Sequence, residues 1–449
     1  MRFALPRRLL QPGAQFIQVE QSHTINRLHR RISEGATVKS LELFTGAGGL
    51  ALGTHLAGFD HVGLLEWNHS ACETLRLNVG AGASPGIGDW AVEETDIKAV
   101  DFKRFHGVEL VAGGVPCQPF SIGGKHRGMN DTRDMFPEFV RAIRTLQPRA
   151  FIVENVKGLL RQSFSSYFSY IVLQLAHPEL FRKPTEAWEV HLKRLEDFHT
   201  RGRFQGLNYN VVFRLLNAAN FGVPQTRERV FIVGFRSDVR ADWHFPEPTH
   251  SKDALLHAQY VSGNYWTEHG MRRPPNLKSR PVDRLTRLTS PKAPPLAAWR
   301  TIRDALAGLP EPSEKYGHPR VANHRINPGA RAYVGHTGSP IDWPSKTLKA
   351  GVHGVPGGEN MIAFHDGSVR YLTVREAARV QTFPDLWRFE GAWSEAMRQL
   401  GNAVPVQLAS VVARSVADRL SAQHSCAHRA RAGSVAGRGL GVAPIGEAT

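Results

Sequence analysis

From Val38 onward, short runs of apolar residues recur, and each is followed by a stretch whose apolar positions repeat with helical spacing. The runs occupy residues 41–44, 62–65, 109–112, 151–154, 211–216 and 230–235. Strands buried on both faces read as near-continuous apolar runs, and parallel strands can be joined only by a crossover long enough to hold a helix. The alternation therefore predicts an α/β fold built on a largely parallel sheet covered by helices. Residues 161–205 carry aromatic and charged positions at helical spacing and read as helices inserted between strands. After residue 235 the texture changes. Residues 240–350 are rich in Pro, Gly, Arg, His and Trp and lack long periodic segments, so a loop-rich second domain is expected there. Helical spacing returns at residues 374–381 and 406–420.

A chain of 449 residues is long enough for two domains. Its formal charge is +16, and residues 250–350 hold 16 Lys/Arg against 7 Asp/Glu. Coding bias toward arginine would spread charge evenly, whereas clustering of this kind is the footprint of a polyanionic partner. Only Cys72, Cys117 and Cys426 occur, which leaves no disulfide framework and no paired zinc ligands, and no metal is expected. No run of 18 apolar residues is present, and residues 1–15 lack the apolar core of a secretory signal. A cytoplasmic protein without membrane contact is the expectation. Residues 1–37 read as a basic extension with one short apolar period at 25–29, and residues 422–449, rich in Ala, Gly and Arg, read as a disordered tail.

The chemistry concentrates at the ends of the apolar runs. Residues 43–50 close the first run with Gly46, Gly48 and Gly49, where a backbone can approach a ligand and a following helix offers unpaired amides. Glu66, 20 positions after Gly46, ends the second run where a carboxylate can take ribose hydroxyls. Asp96 stands at the next strand end, although a solvated strand-end acid explains either carboxylate taken singly. Cys72 reads as a small core residue. Cys117 differs, because it lies between Pro116 and Pro119 in a rigid loop after a strand, where doubly wound folds place reactive groups. Attack by sulfur needs the thiolate. Residues 123–134 have the glycine and polar content of a mobile lid. Glu154, after three apolar residues, is either a desolvated proton donor or a structural acid capping a turn. Arg227 and Arg229 alternate onto one face before a strand, able to hold a base carbonyl and a phosphate together, or are plain surface charge.

Eight motifs in order carry a resemblance to the C5-cytosine DNA methyltransferase family: residues 44–49, Glu66, Asp96, Pro116-Cys117-Gln118, Glu154-Asn155-Val156, residues 225–229, residues 375–384 and residues 401–405. The resemblance spans residues 38–420. It implies a Rossmann-like S-adenosylmethionine-dependent methyltransferase domain interrupted by a smaller loop-rich target-recognition domain. The boundaries implied are residues 38–238 and 371–421 for the catalytic domain and 239–370 for the insertion, which is the segment that composition already sets apart.

The resemblance further implies that Cys117 adds to C6 of a flipped cytosine, with Glu154 at N3 and Arg227 and Arg229 holding the pocket. S-adenosyl-L-methionine is the implied cofactor, bound by Phe44, Gly46, Ala47, Gly48, Gly49, Leu50, Glu66, Trp67, Asp96, Ile97, Pro116, Asn402, Ala403 and Val404. Asn402 and Ala403 should then lie beside Phe44 and Gly48, while Trp67 either stacks on adenine or is plain core. The implied partner is double-stranded DNA, met by a monomer that pairs functionally with a restriction endonuclease. Residues 343–361 are expected to face DNA or to link the domains. A transfer-RNA methyltransferase of the same fold and a catalytically silent DNA-binding protein are the rival expectations.

Overall fold

The computed structural model describes residues 38–116, 134–202, 205–239, 242–274, 294–313, 317–350 and 360–436, the last 14 of these as backbone only. The expectations for the extension 1–37, for Cys117, for the lid up to residue 133 and for residues 437–449 lie outside the described residues. In chain order the first domain comprises β1 (Val38–Leu43), α1 (Gly49–Leu56), β2 (Phe59–Glu66), α2 (His69–Gly80), β3 (Val92–Glu94), β4 (Leu110–Gly114), α3 (Phe136–Leu146) and β5 (Ala150–Val156). It continues with α4 (Ser165–Ala176), α5 (Trp188–Arg201), β6 (Tyr209–Asn217) and β7 (Glu228–Arg236).

The strands form one seven-stranded sheet in the order β3-β2-β1-β4-β5-β7-β6. From β3 through β5 all neighbours are parallel, and β7 runs antiparallel to both β5 and β6. All six apolar runs are strands, and the parallel α/β expectation holds. The sheet has an apolar core on each face. Leu41, Leu43, Val111 and Val153 point to the α3–α4 side, whereas Ala112, Ile152, Phe231 and Val233 point to the other. The chain winds outward from β1 through β2 and β3 and then returns to β4 on β1's other side, so the carboxyl ends of β1 and β4 flank a crevice.

Beyond β7 the elements shorten: β8 (His250–Ser251), α6 (Lys252–Leu256), α7 (Asn264–Glu268), β9 (Ala297–Ala298), α8 (Ile302–Leu306), β10 (Ser339–Pro340), β11 (Met361–Ala363) and β12 (Val369–Tyr371). Elements this short are held by a small apolar cluster of Leu255, Tyr265 and Trp266, and side-chain hydrogen bonds add to it. The buried Asp342 accepts from Tyr265 Oη (2.8 Å) and Arg303 Nε (2.5 Å), and His365 closes the cluster.

The chain then re-enters the first domain through α9 (Val374–Val380), α10 (Trp393–Asn402) and α11 (Val406–Ala436). The last helix lies along α1 so closely that a β-carbon on Gly53 would collide with Ala409. It runs 14 residues beyond Ala422, through a stretch expected as a tail, because the Ala-rich sequence there favours helix continuation. No described helix is long and apolar enough to cross a membrane.

Candidate active site

At the crevice, β1 ends in a loop that alternates left-handed residues: Phe44 (φ 56°), Gly46 (φ 56°) and Gly48 (φ 91°). The loop is held by Glu66, the last residue of β2. Its Oε2 accepts from Gly46 N (2.8 Å), and its Oε1 accepts from Trp67 N (3.0 Å) and Asn68 N (2.8 Å). An ionised carboxylate has roughly four acceptor positions. Three are filled by backbone N–H groups, so the carboxylate is held in one orientation, with one position left on Oε2. A β-carbon at Gly46 would meet nothing within 4 Å, so the loop faces open space there.

Trp67 is 76% exposed, which excludes the plain-core alternative for it. Asp96 is exposed, and its Oδ1 caps Lys98 N at 3.0 Å. Ile97 is buried and Pro116 is half-buried at the end of β4. Ala47, Gly49 and Leu50 are buried at the start of α1. Of the returning segment, Asn402 is exposed, whereas Ala403 and Val404 are buried. The returning chain meets the start of α1 at Gly49, where an added β-carbon would collide with Val404 O.

Two strands away, Glu154 of β5 faces Arg229 of β7. Arg229 Nε lies 2.8 Å from Glu154 Oε1, with side-chain exposures of 12% and 8%. The alignment is poor for a hydrogen bond, and Oε1 has none among the described residues. Burial pushes the Glu154 carboxyl above its usual range, against the pull of Arg229 and Arg227. A carboxyl so placed holds a proton more readily than one in water. Its other oxygen is near the end of β4, since a β-carbon on Gly114 would sit 3.5 Å from Oε2. Asn155 Nδ2 donates to Val115 O (3.1 Å) and locks the ends of β4 and β5 together. Gly114 is three residues before Cys117. Cys72 is buried, and burial pushes its thiol up to about 12, leaving it inert as expected of a core cysteine.

Arg227 is fully buried and does not extend toward the crevice. Its Nη1 donates to Leu348 O (3.1 Å), and its Nη2 donates to Gly401 O (2.7 Å) and Ala403 O (2.9 Å). Burial pushes its guanidinium well below the ordinary arginine range, with Arg229 adding and Glu154 opposing. Sequence spacing groups Arg227 with Arg229 but is blind to carbonyls more than 100 residues away. Residues 345–348, part of the segment expected to face DNA or link domains, lie alongside residues 224–227.

Sequence reasoning also passed over Glu42. It is fully buried in β1, and neither carboxyl oxygen has a hydrogen-bond partner among the described residues. An acid inside an apolar strand was the available signal.

Residues 38–179 and 199–418 match the family profile described as C-5 cytosine-specific DNA methylase. Among curated proteins, the Type II methyltransferase M.NgoMIV of Neisseria gonorrhoeae is 31% identical over 389 residues, covering 86% of this chain and 99% of that protein. M.Eco47II of Escherichia coli is 33% identical over 387 residues, 84% of this chain and 78% of the relative. A provisionally assigned DNA modification methyltransferase encoded within an E. coli prophage superposes with a TM-score of 0.53 at 18% identity, covering 86% of this chain and all of that one. That last likeness is one of fold.

Proposed function

The chain belongs to the C-5 cytosine-specific DNA methylase family and is a DNA cytosine-5 methyltransferase; from that premise we propose that it methylates a flipped cytosine in a specific duplex site through a covalent bond to Cys117. The observation that carries this reading is the buried Glu154–Arg229 pair beside Gly114, three residues from Cys117.

The family and fold imply S-adenosyl-L-methionine, and the crevice suits it: an aimed carboxylate with an acceptor position free, an exposed indole and a glycine loop open at Gly46. Glu66 would take the ribose hydroxyls, Trp67 and Ile97 would flank the adenine, and Asp96 would accept from its amino group. Phe44, Gly46, Ala47, Gly48, Gly49, Leu50, Pro116, Asn402, Ala403 and Val404 would enclose the rest. When bound, this cofactor supplies an electrophilic methyl group on a sulfonium.

Cytosine C5 is a weak nucleophile, and in a duplex it is stacked out of reach. Flipping the base costs a few kcal/mol. The Cys117 thiolate then adds to C6 while Glu154 gives its proton to N3, so electron density that would otherwise sit on the ring accumulates at C5. Arg229 holds the carboxyl and faces the base oxygen. After methylation a base takes the C5 proton, the C5–H electron pair becomes the C5–C6 double bond, the Cys117–C6 pair leaves on sulfur as thiolate, and the N3 proton returns to Glu154.

The Type II relatives support a role in protecting DNA from a cognate endonuclease. The reading is tested with S-adenosylmethionine and duplex DNA carrying 5-fluorocytosine, since fluorine cannot leave as a proton does. A denaturation-resistant adduct with wild type and none with Cys117→Ser is expected. Its absence with wild type, or its persistence in the serine variant, would overturn the mechanism.

A further inference from the structure

Three segments far apart in sequence meet beside the active site and share buried hydrogen bonds. The first is residues 224–229, leading into β7 and Arg229. The second is the strap 345–350, which lies within the basic insertion between β10 and β11. The third is the return 400–404, which borders the start of α1 at Gly49.

Strap and β7 lead are laced by main chain: Ser345 N donates to Pro224 O (2.9 Å) and Thr226 N to Ser345 O (2.8 Å). Thr347 Oγ1 adds a bond to Thr226 O at 2.8 Å, and Leu348 N donates to Gln225 Oε1 at 3.1 Å. The return is tied to the same lead through Gln225 Nε2 to Gln381 Oε1 (3.1 Å) and Gln381 Nε2 to Leu400 O (2.6 Å). Strap and return also touch directly, since a β-carbon on Gly401 would collide with the backbone of Ala350.

Arg227 is the one residue here that bonds to both partners with a single rigid group, reaching Leu348 O on one side and Gly401 O and Ala403 O on the other. Burying a cation without an adjacent carboxylate is costly, and three carbonyls offset that cost only while all three stay in place. Strap and return are therefore ordered together or not at all.

We infer that Arg227 is a positioning residue that couples the two substrates: DNA on the insertion and cofactor in the crevice each fix one arm of this junction and so favour binding of the other. This rests on the function proposed above, because it takes the insertion to be the DNA-binding arm. The base-holding role then belongs to Arg229 alone. Since coupling is reciprocal, each ligand tightens the other by the same factor.

The test begins with sequencing of DNA methylated by wild type, which maps a site. If no methylation occurs the proposed function fails before the coupling is reached. The dissociation constant of S-adenosylhomocysteine is then measured by calorimetry with and without a duplex carrying that site. Wild type should show at least about fivefold tightening, the lower end of usual coupling. Arg227→Lys, which has a single nitrogen in place of the fork, should bring the ratio close to one. Thr347→Val, which removes one bond at the edge of the junction, should lower it in part and serves if the lysine variant does not fold. A ratio of one in wild type, or an unchanged ratio in either folded variant, would overturn the assignment.

Discussion

Two buried glutamates two strands apart in the sheet, Glu42 in β1 and Glu154 in β5, show how surroundings decide what a residue does. Glu154 has cations within reach, so its raised carboxyl remains able to exchange a proton. Replacing it by Gln keeps shape but removes the proton donor. The methylation rate should fall by about 10²- to 10⁴-fold, with S-adenosylhomocysteine affinity unchanged in calorimetry; a loss under tenfold would remove Glu154 from the chemistry. Glu42 has no partner among the described residues, and burial alone holds its carboxyl well above the ordinary value. A carboxyl raised by folding contributes its full stability below the unfolded value of 4.5. As pH rises from there toward the folded value, the unfolded chain ionises first and stability falls by about 1.4 kcal/mol per pH unit. Glu42→Gln removes that slope, so urea midpoints of variant and wild type should separate in the variant's favour as pH rises above 4.5. Parallel lines would mean that Glu42 is not the titrating group. The strand-end position of Glu154 made it legible in sequence. Arg227 was found by the same motif but misread in its surroundings, because its partners are main-chain oxygens that no side-chain pattern encodes.

Helix α1 illustrates the same division among elements. Its start could be read from the glycines, yet Gly53 has a purpose visible only once α11 is laid against it: a β-carbon there would meet Ala409, Ser410 N and Val406 O. None of those atoms can swing aside. Gly53→Ala should gain up to about 1 kcal/mol of helix propensity and lose about 1–3 kcal/mol to overpacking, for a net loss of stability. Gly80→Ala, in α2 with nothing within 4 Å of the added methyl, should be neutral or stabilising. Thermal midpoints of the two variants moving in the same direction would argue against the close α1–α11 contact. The six long strands were legible because each contains an apolar run; five of the runs are largely buried, and that of β6 lies on an exposed edge strand. By contrast β3, three residues long and without a buried position, has no such run, and the two- and three-residue strands of the insertion are held by Asp342 and its partners.

Over the whole molecule, the insertion's charge is sorted by the fold. Two of its acids are held by partners within it, Asp342 by Arg303, Tyr265 and His365 and Asp304 by Thr301 and His269, while Glu268, Glu311 and Asp366 are exposed. Residues 317–341 contain no acid, and Arg320 and Arg331 are exposed there. Composition announced a polyanionic partner but could not say where the charge would lie; in the fold, the acid-free stretch 317–341 carries its arginines on the surface. The arginines should then act as sequence-independent phosphate contacts. Each phosphate neutralised on duplex DNA releases counterions and adds about −0.9 to the slope of log Kobs against log salt. The double variant Arg320→Ala/Arg331→Ala should therefore flatten that slope by roughly 2, weaken cognate and random duplexes by similar factors, and leave S-adenosylhomocysteine binding untouched. Fluorescence anisotropy across a salt series measures all three. An unchanged slope would mean that the DNA lies elsewhere on the protein, whereas a loss confined to the cognate duplex would make these arginines readers of base edges.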